Sequence, residues 1–459
     1  MSRKIILIAT ILLGVGLLGV GCKGLSQEQK RAIQPTTINY WTVFGNMEQL
    51  RQYAQEFEQR RGGYVDIKIR KVRFDEFNKL FIRALADNVA PDIVSMHSRW
   101  LRRHQDRLSP MPRRVKVANL RVEGKFSKTR KVNFENKFFP SLNDIRKSYV
   151  QAVPKDVIID GEAYGLPMSV DTLALYYNKD LLDQSGIPTP PKTWSELQEA
   201  VKAATKYDSE GNIIQSGIAM GTSENINNSF DILSVLMMQN GAKMIQNGRV
   251  TFANQIQKNT ENHPTYQALR FYTDFAQEQK EVYSWNEENP NALEEFVRGN
   301  TAMYLGFAHN GNEIRQRAPQ MNLGVVPLPQ LNPSSPVNVA NYWVQSVVGE
   351  SENKQLAWAF VRYLTNPQNV KRYVEATNQP TPFRSQIEAQ KEDTQVKPFL
   401  EQILTAKNWY RGQDLQATKQ AFSDLVEGFK RPAPEEGTKR ERNANLISKA
   451  ARKVQQTLQ

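Results

Sequence analysis

The chain has 459 residues, 40% of them hydrophobic and 23% charged. That length exceeds one ordinary core at the usual ~150 residues per domain, and the hydrophobic content excludes a disordered or collagen-like chain. Lys+Arg of 60 against Asp+Glu of 47 gives a net charge of +13. A single cysteine excludes an internal disulfide or a Cys-based zinc cluster, and the four histidines form no HExxH and no close pair.

Met1 to Gly21 reads as an export signal: Arg3 and Lys4 precede an apolar run, Ile5 to Val20, and small residues flank Val20 just before Cys22. The run is short against the roughly 20 residues a spanning helix needs. Gly14, Gly16 and Gly19 match a dinucleotide fingerprint, but they sit inside this apolar segment without the required strand and helix. Lys23 to Pro35 is polar and reads as a flexible leash.

Beyond it, Thr37–Val43 predicts a strand, and Leu50, Tyr53, Ala54 and Phe57 mark one face of a helix. Val65–Ile69 predicts a second strand. A second helix follows with Phe74, Phe77, Leu80, Phe81, Ala84 and Leu85 on its apolar face, then a third strand over Pro91–Met96. This βαβαβ order implies parallel pairing. Arg113 to Lys131 is basic with one acid, Glu123, and reads as a surface loop or insertion. A patch of that charge would also suit an anionic surface.

Asp160-Gly161-Glu162 reads as a hairpin turn, Leu173–Tyr177 as a buried strand, and Thr193 with Glu196 as a capping box opening a helix. Further helices are predicted over Phe230–Met238, Tyr266–Phe275, Leu293–Val297 and Leu446–Leu458, with strands over Ala302–Phe307 and Leu323–Val326. Ser351 reads as the cap of a helix carrying Leu356, Phe360, Val361 and Leu364.

Several stretches together resemble a known family. Tyr164-Gly165-Leu166-Pro167-Met168-Ser169, Leu175 to Leu182, Gly186-Ile187-Pro188 and Pro190 to Leu197 are similar in order to the extracellular solute-binding proteins of ATP-driven importers, in the sugar-binding branch that includes maltose-binding protein. Arg298 to Met303, Gly324 to Pro329 and the helix through Trp358 continue the resemblance, which runs from Ile38 to the C-terminus. The placing of Cys22 likewise resembles a bacterial lipoprotein signal, although Gly19 stands where that pattern prefers Leu; an uncleaved N-terminal anchor is the alternative.

The resemblance implies an α/β, two-lobed periplasmic-binding-protein fold of type II, with a multi-strand hinge. Residues 36–169 and 328–376 would form the N-terminal lobe, with the basic insertion at about 113–139, and residues 170–327 and 377–459 the C-terminal lobe. It implies no enzyme activity, metal or cofactor. The implied partners are a small solute, expected to be a carbohydrate, permease subunits, and the membrane through lipid on Cys22; no nucleic acid is expected, and the protein is expected to be an extracytoplasmic monomer.

A sugar cleft needs aromatic platforms and paired hydrogen-bonding groups where strands end. By resemblance the candidates are Trp41, Asn46, His97, Arg99, Asp171, Asn228, Phe230, Phe307, His309, Asn341, Trp343, Arg384 and Trp409, with Phe44 beside the first. Plain alternatives stand beside them: core packing for Trp41 and Phe230, a turn cap for Asp171, a solvated surface for Arg99. A surface glycosidase or lyase and a basic adhesin for anionic polymer are the rival functions, and Arg99 and Arg384 leave an acidic or phosphorylated sugar open.

Overall fold

The computed structural model describes residues 25–124, 129–431 and 439–458; the segment expected to be an export signal and Cys22 lie outside them. The first lobe is built on a sheet in the order Val65–Lys71, Thr36–Thr42, Ile93–His97, Trp343–Val348, Leu108–Ser109. The first three strands run parallel, as the βαβαβ pattern predicts. Trp343–Val348 inserts antiparallel from far along the chain and also pairs with Leu166–Pro167. That pairing explains Gly165 in the Tyr-Gly-Leu-Pro stretch: its φ is +153°, and a Cβ there would collide with the Gln345 carbonyl.

The second sheet runs Lys206–Tyr207, Ile213–Ile218, Thr301–Gly306, Ala174–Asn178, Leu323–Pro327. Ala174–Asn178 lies antiparallel to both neighbours. Helix Trp194–Ala204 starts at the predicted capping box, with the Thr193 hydroxyl accepting from the Glu196 amide. Between the sheets, a ladder of Asp171–Thr172, Asn338–Asn341 and Ala406–Lys407 carries the chain across. The segment after Asn378 then touches the first lobe, where Val150 and Val170 donate to the carbonyls of Pro382 and Pro380.

Three expectations are corrected. The basic segment is not a loop: Arg114–Glu123 and Thr129–Phe138 form an antiparallel hairpin, paired at every position of both strands. Val115, Val117, Ala118 and Val132 turn inward, while Arg114, Lys116 and Arg121 point to solvent. Its base packs on helix Lys354–Leu364, where the Phe139 and Trp358 rings meet edge-on at 5.5 Å. Gly62, at the end of helix Met47–Arg61, leaves room for the Leu120 carbonyl of this hairpin.

The leash is also partly folded. Gln27–Ala32 is a helix with a capping box from Ser26, tied to the hairpin by Glu28–Lys116 at 3.0 Å and Gln29–Val132 at 3.1 Å. Ser351 is not the cap of helix Lys354–Leu364. That position belongs to Asn353, whose amide Ser351 accepts at 3.1 Å while donating to Asp92.

Candidate functional site

The two lobes meet across a cleft that begins where Ile93–His97 ends. Arg99, just beyond this strand, is buried, and its Nη2 lies 2.6 Å from Oδ1 of Asp231 on helix Ser229–Gln239 of the second lobe. Its Nε donates to Asn408 Oδ1 at 3.1 Å, and its guanidinium lies 5.7 Å over the Phe230 ring. Asn408 in turn donates to Asp156 at 2.7 Å, which also accepts from Tyr342 and Arg411. An unpaired buried charge is expensive; this run of partners spans both lobes and the hinge.

His97 is held neutral. Its Nδ1 accepts the Arg99 amide, so Nε2 donates to Asn341 Oδ1 at 2.7 Å. Burial, then the Arg99 charge, lower its pKa to about 3. Lys419, on helix Leu415–Lys430, faces the same charges. Burial pulls its ammonium below the ordinary lysine value, Asp231 opposes that shift, and Arg99 adds to it.

Aromatic rings line the first-lobe wall. Phe44 and Phe74 are 47% and 41% exposed, unusual for such large apolar groups. Trp343 lies 5.3 Å from Phe44 and 6.2 Å from Phe74, and Trp100 stacks on Phe74 at 5.1 Å. From the second lobe His309 reaches to 5.9 Å of Phe44, and Lys419 to 5.9 Å of the Phe74 ring. Asn312 also donates to the Thr377 carbonyl at 2.8 Å, and Arg103 pairs with Asp414 at 3.7 Å. The lobes are closed on one another.

The predicted residues therefore divide. His97, Arg99, Asn341, Trp343 and His309 converge, and Phe307 stacks behind His309 at 5.8 Å. Asp171 caps helix Ala308–Arg317: its carboxylate accepts from the amides of Ala308 at 2.8 Å and His309 at 3.2 Å. Phe230 and Trp409 pack on Phe422 in the second lobe, at 4.9 and 5.7 Å. Asn46 caps helix Met47–Arg61, Asn228 donates to the Leu305 carbonyl, and Arg384 to the Tyr149 carbonyl. Trp41 is buried in its strand beneath Arg70, 5.0 Å away.

Phe74, Trp100, Asn408 and Lys419 were not among the predicted site residues. Phe74 has a helical spacing that reads as core; its place at the first turn of helix Phe74–Ala86 turns it outward. Asn408 and Lys419 carry no local signal.

Two α/β lobes on a three-strand hinge, closed over an aromatic and ionic cleft, define the two-lobed architecture of a periplasmic-type binding-protein fold. Residues 42–371 match the family described as bacterial extracellular solute-binding protein. The chain belongs to that family. It is 20% identical over 452 residues to the melibiose/raffinose/stachyose-binding protein MelE of Bacillus subtilis, covering 93% of this chain and 94% of that one. A binding protein of Brucella abortus is 26% identical over 229 residues, 49% of this chain and 52% of that one, so the chain spans about half the length of that relative. Among solved structures, the GacH receptor of Streptomyces glaucescens, determined unliganded and with acarbose, has a TM-score of 0.68 at 20% identity, covering 92% of this chain and 99% of that one.

Proposed function

We propose that the chain captures a carbohydrate between its lobes and delivers it, unaltered, to an ATP-driven importer. The carrying observation is the set of rings, exposed Phe44 and Phe74 with half-buried Trp343 against them, facing His309 across a closable cleft. Planar apolar faces suit the C–H faces of sugar rings, while Arg99, Asp231, Lys419 and Asn341 offer donors and acceptors for hydroxyls. MelE, similar over nearly the whole chain, is named for melibiose, raffinose and stachyose, which supports a carbohydrate ligand here. Ligand contacts made by both walls favour the closed state, so binding drives closure. The protein works outside the cytoplasm, held to the membrane by lipid on Cys22.

The test is a melting-temperature screen against mono-, di- and oligosaccharides. A ligand at about 100 times its dissociation constant adds roughly 2.7 kcal/mol of stability. Recovering the ligand with unchanged mass after incubation separates a receptor from a glycosidase or lyase.

A further inference from the structure

A second groove between the lobes, of about 640 Å³, shares no lining residue with the aromatic wall. The first lobe contributes Arg102; the hinge and second lobe contribute Lys407, Trp409, Arg411, Lys243 and Met244. Among the described residues, no acidic side chain is in this lining. Arg411 is paired through Nε with Asp156 at 2.9 Å. Arg102, Lys243 and Lys407 have no ion-pair partner among the described residues. Desolvation, and then the charge of Lys155, pull the Lys407 ammonium below its ordinary value. Three cations without such a pair, held near one another, leave a positive potential that a bound anion relieves. The groove lies near the cleft: Trp409 packs 5.7 Å from Phe230, and the Arg99 guanidinium lies 5.7 Å from the same ring.

We propose that this groove is a binding site for a small oxyanion, a phosphate or carboxylate, contacted by Arg102 from one lobe and by Lys243, Lys407 and Arg411 from the hinge and the other lobe. Guanidinium and ammonium groups supply charge-assisted hydrogen bonds to such oxygens, and Trp409 and Met244 supply an apolar wall for any carbon skeleton attached. Because both lobes hold the anion, its binding favours closure. The anion is either free or carried on a saccharide, and the two sources are separable. Where it is carried on a saccharide, the proposal rests on the carbohydrate reading above.

The test uses the purified protein and three probes, inorganic phosphate, glucose 1-phosphate and galacturonic acid, titrated calorimetrically at low and high salt. A neutral oligosaccharide that stabilises the wild type serves as the independent readout of the cleft. At least one anionic probe is expected to bind, more weakly at high salt, and to lose at least about tenfold in affinity in the Lys243→Ala/Lys407→Ala variant. The neutral sugar should bind that variant as it binds wild type, and Lys243→Arg/Lys407→Arg should retain the anion. Saturation by inorganic phosphate alone identifies a free anion; binding only of the sugar acids identifies a ligand-borne one. Absence of binding by all three probes at low salt overturns the proposal. So does equal affinity in the alanine variant. Neither result bears on neutral-sugar binding.

Discussion

Arg99 and Asp231 stand on different lobes, yet their side chains meet at 2.6 Å and are only 5% and 11% exposed. Removing one charge of a buried pair costs about 3–5 kcal/mol when the other stays buried. Here the lobes have another outlet, since separating them returns Arg99 to water. Asp231→Asn is therefore expected to open the unliganded protein with little change in its urea midpoint. Small-angle scattering should show a larger radius of gyration than wild type, and an unchanged radius would count against the pair as a closing device.

The exposed rings predict a separation of binding from stability. Phe74→Ala removes a side chain that is 41% exposed, so the melting temperature should hardly move. Saccharide affinity should fall by about tenfold, the equivalent of ~1.4 kcal/mol, because a stacking face is lost. Trp343→Ala should weaken binding further, as its ring touches both Phe44 and Phe74. Calorimetric titration of the two variants decides the matter; wild-type affinity in both places the ligand elsewhere.

Two histidines give stability a slope in mild acid. Burial, then Arg99, holds His97 to a pKa of about 3; burial, then Arg107 and Arg103, does the same for His104. The unfolded chain takes up these protons near pH ~6.5, whereas the native protein refuses them until near 3, so the unfolded state binds more protons in between. Stability should fall as the pH falls from ~6.5 towards ~4.5, by up to about 1.4 kcal/mol per pH unit for each histidine. Below that range carboxylates such as Glu56, held at about 2 chiefly by its hydrogen bond from Arg372, add their own loss. Urea unfolding at about pH 7 and about pH 5 measures the slope. His97→Gln should remove roughly half of it, and a flat wild-type profile would contradict the assignment.

Gly165 predicts a contrast between two similar substitutions. Gly165→Ala meets both a φ of +153° and the Gln345 and Val344 backbone and side chain of the neighbouring strand. A loss of about 1–3 kcal/mol from strain alone is expected, with the collision added. Gly161→Ala sits at φ +83° with open space around its Cβ, so only the left-handed strain of about 1–2 kcal/mol applies. Chemical denaturation of both compares them directly. Equal losses would mean that the strand beside Gly165 simply yields.

The local signals in the chain were readable because they depend on near neighbours. The parallel strands, the Thr193 box and the apolar face of Phe77, Phe81 and Ala84 follow from spacing alone. Other features depend on distant partners. Asp171 is a helix cap because Ala308 and His309 arrive beside it, and Arg99 is buried because Asp231 and Asn408 do. The hairpin lay between these cases: Val115 and Val117 alternate with Arg114 and Lys116 at the strand period, but the density of charge outweighed that pattern.

On the proposal that Cys22 carries lipid, helix Gln27–Ala32 would change what that tether does mechanically. Its docking on the hairpin through Glu28 and Gln29 means that tension from such an anchor would reach the hairpin before strand Thr36–Thr42. Under that proposal the body would hang from the side of the hairpin rather than directly from strand Thr36–Thr42.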